Sequence, residues 1–140
     1  MTTFTRHFQK GVTLIELMVV IGILAVMSAI AFPAYTSQVL KTNRMDAKRI
    51  LSQIQTAYER YYVENNNVYP TVSISGTFSA LSLGTAPTSN YYTFSPTVNS
   101  SGTSYTLMAS TQGSELSDTT CTNFYLDNLG NRTATSSTCW

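Results

Sequence analysis

The stretch KGVTLIELMVVIGILAVMSAIAFP, residues 10–33, decides how the rest of this chain is read. From Leu17 to Leu40 no side chain is charged, and the run is dominated by Leu, Ile, Val, Met and Ala. A helix needs about 20 such residues to cross the hydrocarbon core of a bilayer, so the segment is long enough to span. Ahead of it lies a short polar stretch carrying Arg6, His7 and Lys10, the general layout of an export signal. One residue breaks the pattern. Glu16 places a carboxylate near the start of the apolar run, where an ionisable group is costly and usually functional.

Three readings account for this arrangement to different extents. An ordinary secretory signal would be cut behind the apolar stretch, and Ala29-Ile30-Ala31 offers a small-x-small site there. Such signals have apolar cores of about 7–15 residues, shorter than this one, and carry no carboxylate. A plain membrane anchor accommodates the length and leaves Glu16 unexplained. The third reading uses every feature: Lys10-Gly11-Val12-Thr13-Leu14-Ile15-Glu16-Leu17 resembles the class III leader junction of type IV pilins. The segment from Ala47 to Pro70, with Tyr61-Tyr62, Asn65-Asn66-Asn67 and Tyr69-Pro70, and the Cys139-Trp140 ending resemble the type IVa, PilE-like minor pilins.

The resemblance implies that a membrane prepilin peptidase cuts between Gly11 and Val12 and that Val12, the new first residue, is N-methylated. Val12 departs from the Phe the family most often carries there. Glu16 becomes the fifth mature residue and Pro33 the twenty-second, the positions of the family's assembly glutamate and helix-loosening proline. Cleavage would create an α-amino cation with a reference pKa of about 7.7–8.0. An unpaired Glu16 in an apolar setting would pair with the Val12 amine of a neighbouring copy, relieving both penalties. Methylation retains that charge. The implied partners are other pilin subunits in a helical homo- or hetero-polymer, the peptidase, the membrane, and the inner-membrane pilus assembly machinery. The implied location is a single-pass inner-membrane protein before assembly and an extracellular filament after it.

Beyond Pro33 the helical period continues through Ala47, Ile50, Leu51, Ile54, Ala57, Tyr58, Tyr61 and Tyr62, with Lys48, Arg49, Gln53, Glu59 and Arg60 falling mostly between them. Asn65-Asn66-Asn67 and Pro70 place the helix end near Glu64. After Val72, short β-branched and aromatic runs separated by Gly, Pro and Asn predict strands over 91–95, 104–109, 123–127 and 132–135. Asn128 to Asn131 reads as the last hairpin turn, and 65–90 as a loop joining helix to sheet. The fold class is therefore α+β: a long N-terminal helix with a membrane-spanning first half, its second half packed on a small antiparallel sheet, as in the pilin fold. The boundaries are a cleaved leader over 1–11, an apolar transmembrane and filament-core helix over 12–35, and a globular domain over 36–140 outside the membrane.

Cys121 and Cys139 stand far beyond the apolar run, and a disulfide is the natural pairing in an oxidising compartment. Closing a loop of about 15 residues contributes roughly 3 kcal/mol in the chain-entropy picture. Lys41, Arg44, Lys48 and Arg49 cancel any positive-inside bias, so the cysteine pair rather than loop charge places the C-terminal domain outside.

The formal charge of +1 does not call for a polyanionic partner; without residues 1–11, six Lys/Arg face seven Asp/Glu. Lys41, Arg44 and Lys48 share a helix face that reads as a phosphate strip or, more simply, as cations paired to acidic residues. The tyrosines at 58, 61, 62, 91 and 92 suit packing better than base stacking. No enzyme constellation is present: the single histidine lies in the leader, no Cys/His metal cluster or glycine-rich phosphate loop occurs, and Glu115, Asp118 and Asp127 are too sparse for a calcium loop. No cofactor is implied. Two alternatives stay open within the same fold, a type II secretion pseudopilin and a DNA-binding competence pilin.

Overall fold

The structure is a computed structural model that describes residues 11–140. The proposed leader positions Arg6, His7 and Lys10 lie outside the described residues. The chain divides into two compact units, one ending at Gln38 and the other comprising Val39–Trp140. Helix α1, Leu14–Glu64, contributes to both.

In the first unit α1 is apolar all round and uncovered. Leu17, Val19, Ile21, Ile23 and Leu24 each keep more than half of their surface exposed. A helix of this kind is stable only in lipid or against other apolar surfaces. The segment is long and apolar enough to cross a membrane. Pro33 sits inside the helix and offers no amide to the preceding turn. Nearby Thr36 and Ser37 turn their hydroxyls onto the carbonyls of Pro33 and Ala34, each at 3.0 Å.

In the second unit the same helix is amphipathic. Asn43, Ala47, Ile50, Leu51, Ile54, Ala57 and Tyr58 form a buried stripe at three- and four-residue steps. Its end is set by asparagines: Asn66 and Asn67 adopt left-handed φ angles of 54° and 59°, and the Asn67 amide donates to the Tyr62 carbonyl at 3.0 Å. Asparagine tolerates this conformation better than other non-glycine residues, which is how the helix stops without glycine.

The expected loop over 65–90 contains a short helix, α2, Ile74–Ala80, capped by Ser73 Oγ accepting the Gly76 amide at 3.2 Å. Four antiparallel strands follow, β1 Tyr92–Val98, β2 Tyr105–Thr111, β3 Asn123–Asp127 and β4 Arg132–Ala134, paired in the order β1-β2-β3-β4. A single-turn 3-10 helix, Gly113–Ser117, interrupts the path from β2 to β3. The first two strands run three and two residues further than their sequence patterns predict, β1 passing through Pro96. An edge strand tolerates a proline because one side of its ladder is unpaired. Alternating residues Tyr105, Leu107 and Ala109 of β2 and Phe124 and Leu126 of β3 face the helix stripe and complete the core.

Both hairpin turns are closed by side chains. Asn99 Oδ1 accepts the amides of Thr103 at 2.8 Å and Ser104 at 3.1 Å. In the second hairpin, Asp127 accepts the amides of Leu129 and Asn131 and the Asn131 side-chain amide, at 2.8–2.9 Å.

Candidate functional site

The first candidate is the opening turn of α1. Thr13 is its N-cap: the Thr13 amide and hydroxyl each donate to Glu16 Oε2 at 2.9 Å, and the Glu16 amide donates back to Thr13 Oγ1 at 3.3 Å. This is the reciprocal capping box that a Thr-x-x-Glu sequence allows. The carboxylate is therefore not unpaired, as the sequence reading supposed. It is folded back over the first turn, towards the end of the chain segment where Val12 lies three-quarters exposed. Glu16 is held by groups that are weaker partners for it than a cation would be, since hydrogen bonds with an ionised donor are about twice as strong as neutral ones.

The second candidate is a corner of the globular unit organised by Cys121 and Cys139, which are joined with Sγ–Sγ 1.99 Å and Cα–Cα 5.7 Å. Next to Cys139, Trp140 lies edge-on to Phe124 at 5.8 Å between ring centres, and its indole N–H donates to the carbonyl of Thr133 in β4. Lys48 Nζ is 5.5 Å from the centres of both rings, and Arg132 Cζ is 5.5 Å from the centre of Trp140. Two cations thus share one aromatic platform. Burial, then the Arg44 charge, lower the Lys48 pKa.

Behind this corner the helix is latched to the loop that precedes Cys121. Arg44 meets Asp118 in a two-pronged pair at 2.6 and 2.8 Å, and Asp118 also accepts the Cys121 amide at 3.1 Å. Burial alone would raise the Asp118 carboxyl, but the Arg44 contact and the Cys121 amide outweigh it and hold the group below the usual carboxylate range. Alongside, fully buried Glu115 accepts from Asn43 Nδ2 at 2.8 Å and from the Tyr92 hydroxyl at 3.4 Å.

These contacts revise the cationic strip. Arg44 is turned inward onto Asp118, while Arg49 and Arg60 pair along the helix with Asp46 and Glu64. Lys41, Lys48 and Arg132 have no carboxylate partner among the described residues. Tyr58 and Tyr92 are core residues, as their spacing suggests. Glu115, Asp118 and Asp127 do not converge, and among the described residues no three His, Cys, Asp or Glu side chains gather. Sequence reasoning missed Thr13, although Thr13-x-x-Glu16 was a readable capping signature. It also missed the Arg44–Asp118 latch, whose members stand 74 positions apart with no local signal.

A long helix that is bare in its first part and packed in its second on a four-stranded antiparallel sheet, with a disulfide closing the C-terminal loop, defines the fold of the pilins. Comparison with known proteins agrees. Residues 6–32 match the prokaryotic N-terminal methylation motif, and residues 33–125 match the family described as type IV minor pilin ComP, DNA uptake sequence receptor. Fimbrial protein EcpC of Eikenella corrodens is 38% identical over 46% of this chain and 42% of its own. Type IV major pilin protein PilE1 of Neisseria gonorrhoeae is 35% identical over 53% of this chain and 34% of its own. A solved type IV pilin from Shewanella oneidensis shares 26% identity, covering 72% of this chain and 97% of that one, with a TM-score of 0.55. This chain therefore belongs to the type IV pilins, in the ComP minor pilin family. It spans about two fifths of the length of the curated relatives it matches.

Proposed function

We propose that this chain is a non-enzymatic structural subunit of a type IV pilus, cleaved between Gly11 and Val12, methylated on Val12, and polymerised through its apolar helix with other pilin subunits. Before assembly the segment 12–35 anchors it in the inner membrane; afterwards the segment lines the filament core. The observation that carries this reading is Glu16, a carboxylate at the open end of a helix whose next 24 residues are uncharged and whose next 22 are exposed. Its capping-box partners are neutral, so an arriving α-amine gains a charged hydrogen bond at the cost of one that water or the neighbouring backbone replaces. Pro33 supplies the point at which the helix can lengthen or bend on packing. In cells that build pili from this subunit, Glu16→Ala is expected to abolish incorporation into sheared filaments while membrane levels stay normal, because an unpaired buried charge costs on the order of 3–5 kcal/mol. Wild-type incorporation of that variant would reject the mechanism.

A second role, as a DNA receptor carried on the filament, is supported by the family match and by the Lys48–Trp140–Arg132 corner. From residue 39 onward six Lys/Arg balance six Asp/Glu, so binding would rest on this local pair rather than on overall charge. Lys48→Ala combined with Arg132→Ala is expected to weaken double-stranded DNA binding in a gel-shift titration about tenfold or more and to flatten its salt dependence by up to two phosphate contacts. Binding that ignores salt and this double substitution would remove the role. The family match also favours the pilus over the secretion pseudopilus.

A further inference from the structure

At the far end of α1 from the membrane segment, four tyrosines touch in series. Tyr58 meets Tyr105 at 5.1 Å between ring centres, Tyr105 meets Tyr69 at 4.6 Å, and Tyr69 stacks on Tyr62 at 4.5 Å with ring planes 29° apart. Glu59 lies among them and accepts the hydroxyls of Tyr105 at 2.7 Å and of Tyr69 at 3.0 Å. The first three rings are buried; Tyr62 is half-buried and reaches solvent. We propose that Tyr62 and Tyr69 are a one-electron oxidation site that closes into a carbon–carbon dityrosine cross-link when a peroxidase-type oxidant reaches the protein.

The geometry supplies what each step needs. A phenol gives up an electron readily only if its proton has somewhere to go, and the Glu59 carboxylate is within hydrogen-bond reach of Tyr69. Burial, then the Glu59 hydrogen bond, push the Tyr69 phenol up to about 12, so it is neutral in ordinary media and its proton must leave with the electron. An electron hole formed on Tyr105 or Tyr58 has a path outward through ring contacts. Tyr62, at the solvent end, loses its electron to the oxidant and its proton to water. The two phenoxyl radicals then face each other in a fixed stack, which favours coupling within the chain over encounters between chains. A bond forms between the ring carbons next to each phenolic oxygen. The hydrogens on those carbons leave as protons, and both phenols are restored, one of them from Glu59. In total the pair loses two electrons and two protons, which reduce one hydrogen peroxide to two waters. The product ties the last turns of α1 to the segment behind the Asn66-Asn67 turn, fastening the helix end covalently.

The test treats the full-length protein in detergent micelles with a haem peroxidase and hydrogen peroxide, free tyrosine serving as the activity control. Dityrosine fluorescence is read together with mass-spectrometric mapping of linked peptides. The expected product joins Tyr62 to Tyr69 within one chain, is abolished by Tyr62→Phe, and is unchanged by Tyr125→Phe. Glu59→Gln is expected to lower its yield several-fold and Glu59→Asp to restore it, with circular dichroism reporting that each variant is folded. Links at other tyrosines such as Tyr61 or Tyr91, links between chains only, or no link while free tyrosine couples would overturn the proposal. Equal yields from Glu59→Gln would remove Glu59 as proton acceptor.

Discussion

At Asp118 one carboxylate receives both arms of the Arg44 guanidinium and the amide of Cys121, so it joins the helix to the start of the disulfide loop. Its side chain is only 2% exposed, whereas Arg44 keeps 22% of its side chain in solvent. Removing the charge leaves Arg44 facing a neutral amide, and Asp118→Asn is expected to lower stability by about 2–3 kcal/mol, somewhat under the range for fully buried pairs because Arg44 can turn to water. Sign follows from the direction of the shift. A carboxyl whose folded pKa lies below its unfolded value of about 3.9 contributes stability above that value and loses it as pH falls through the lower folded pKa. The stability of wild type measured by chemical denaturation should therefore fall below about pH 4, and the Asp118→Asn variant should show a shallower fall there. Equal slopes for the two proteins would show that Asp118 titrates alike in both states. Glu16 obeys a different logic, since its hydrogen bonds lie within its own first turn and its neighbours in the sequence are apolar.

Among the elements, α1 was the most legible in sequence. Uncharged composition marked its first part, three- and four-residue spacing marked its second, and the asparagine run located its end at the observed Glu64. Strand β3 was equally clear, because Asn123–Asp127 alternates half-buried and buried positions between turn residues. Helix α2 was not, since Ile74–Ala80 contains Gly76 and Thr77, poor helix formers, and is held by the Ser73 cap and burial of Phe78 rather than by propensity. The candidate sites divide in the same way: the Glu16 turn is local and could be read, whereas the Trp140 corner and the Arg44 latch assemble from distant segments. The turn between β1 and β2 shows how two such segments are fitted together. Gly102 adopts φ +67°, its carbonyl accepts the Tyr69 amide at 2.8 Å, and an added Cβ would lie 2.5 Å from Val68 Cγ1. Gly130, at φ +80°, has open space around it. Thermal unfolding should place Gly102→Ala about 2 kcal/mol below wild type and Gly130→Ala nearer 1 kcal/mol, the difference being the displaced valine. Equal losses would show that backbone conformation alone sets the cost.

On the scale of the whole molecule, the disulfide fixes more than a loop. Cys121 is hydrogen-bonded to Asp118, and Cys139 leads directly into Trp140, the chain's single tryptophan. Replacing both cysteines by serine should reduce stability by roughly 3 kcal/mol in the chain-entropy picture. It should also shift tryptophan emission towards that of a solvated indole and, if the corner binds DNA, weaken that binding in parallel. A folded variant with unchanged emission would show that β4 and Phe124 hold Trp140 unaided.

The two free edges of the sheet carry one more consequence. Strand β1 passes through Pro96, which has no amide to offer at its open edge, and β4 is only three residues long. Neither border is a good template for an incoming strand. In the filament proposed above, where subunits stand close together, amyloid-type stacking is thereby discouraged on both sides, leaving the greasy helix as the surface open to association.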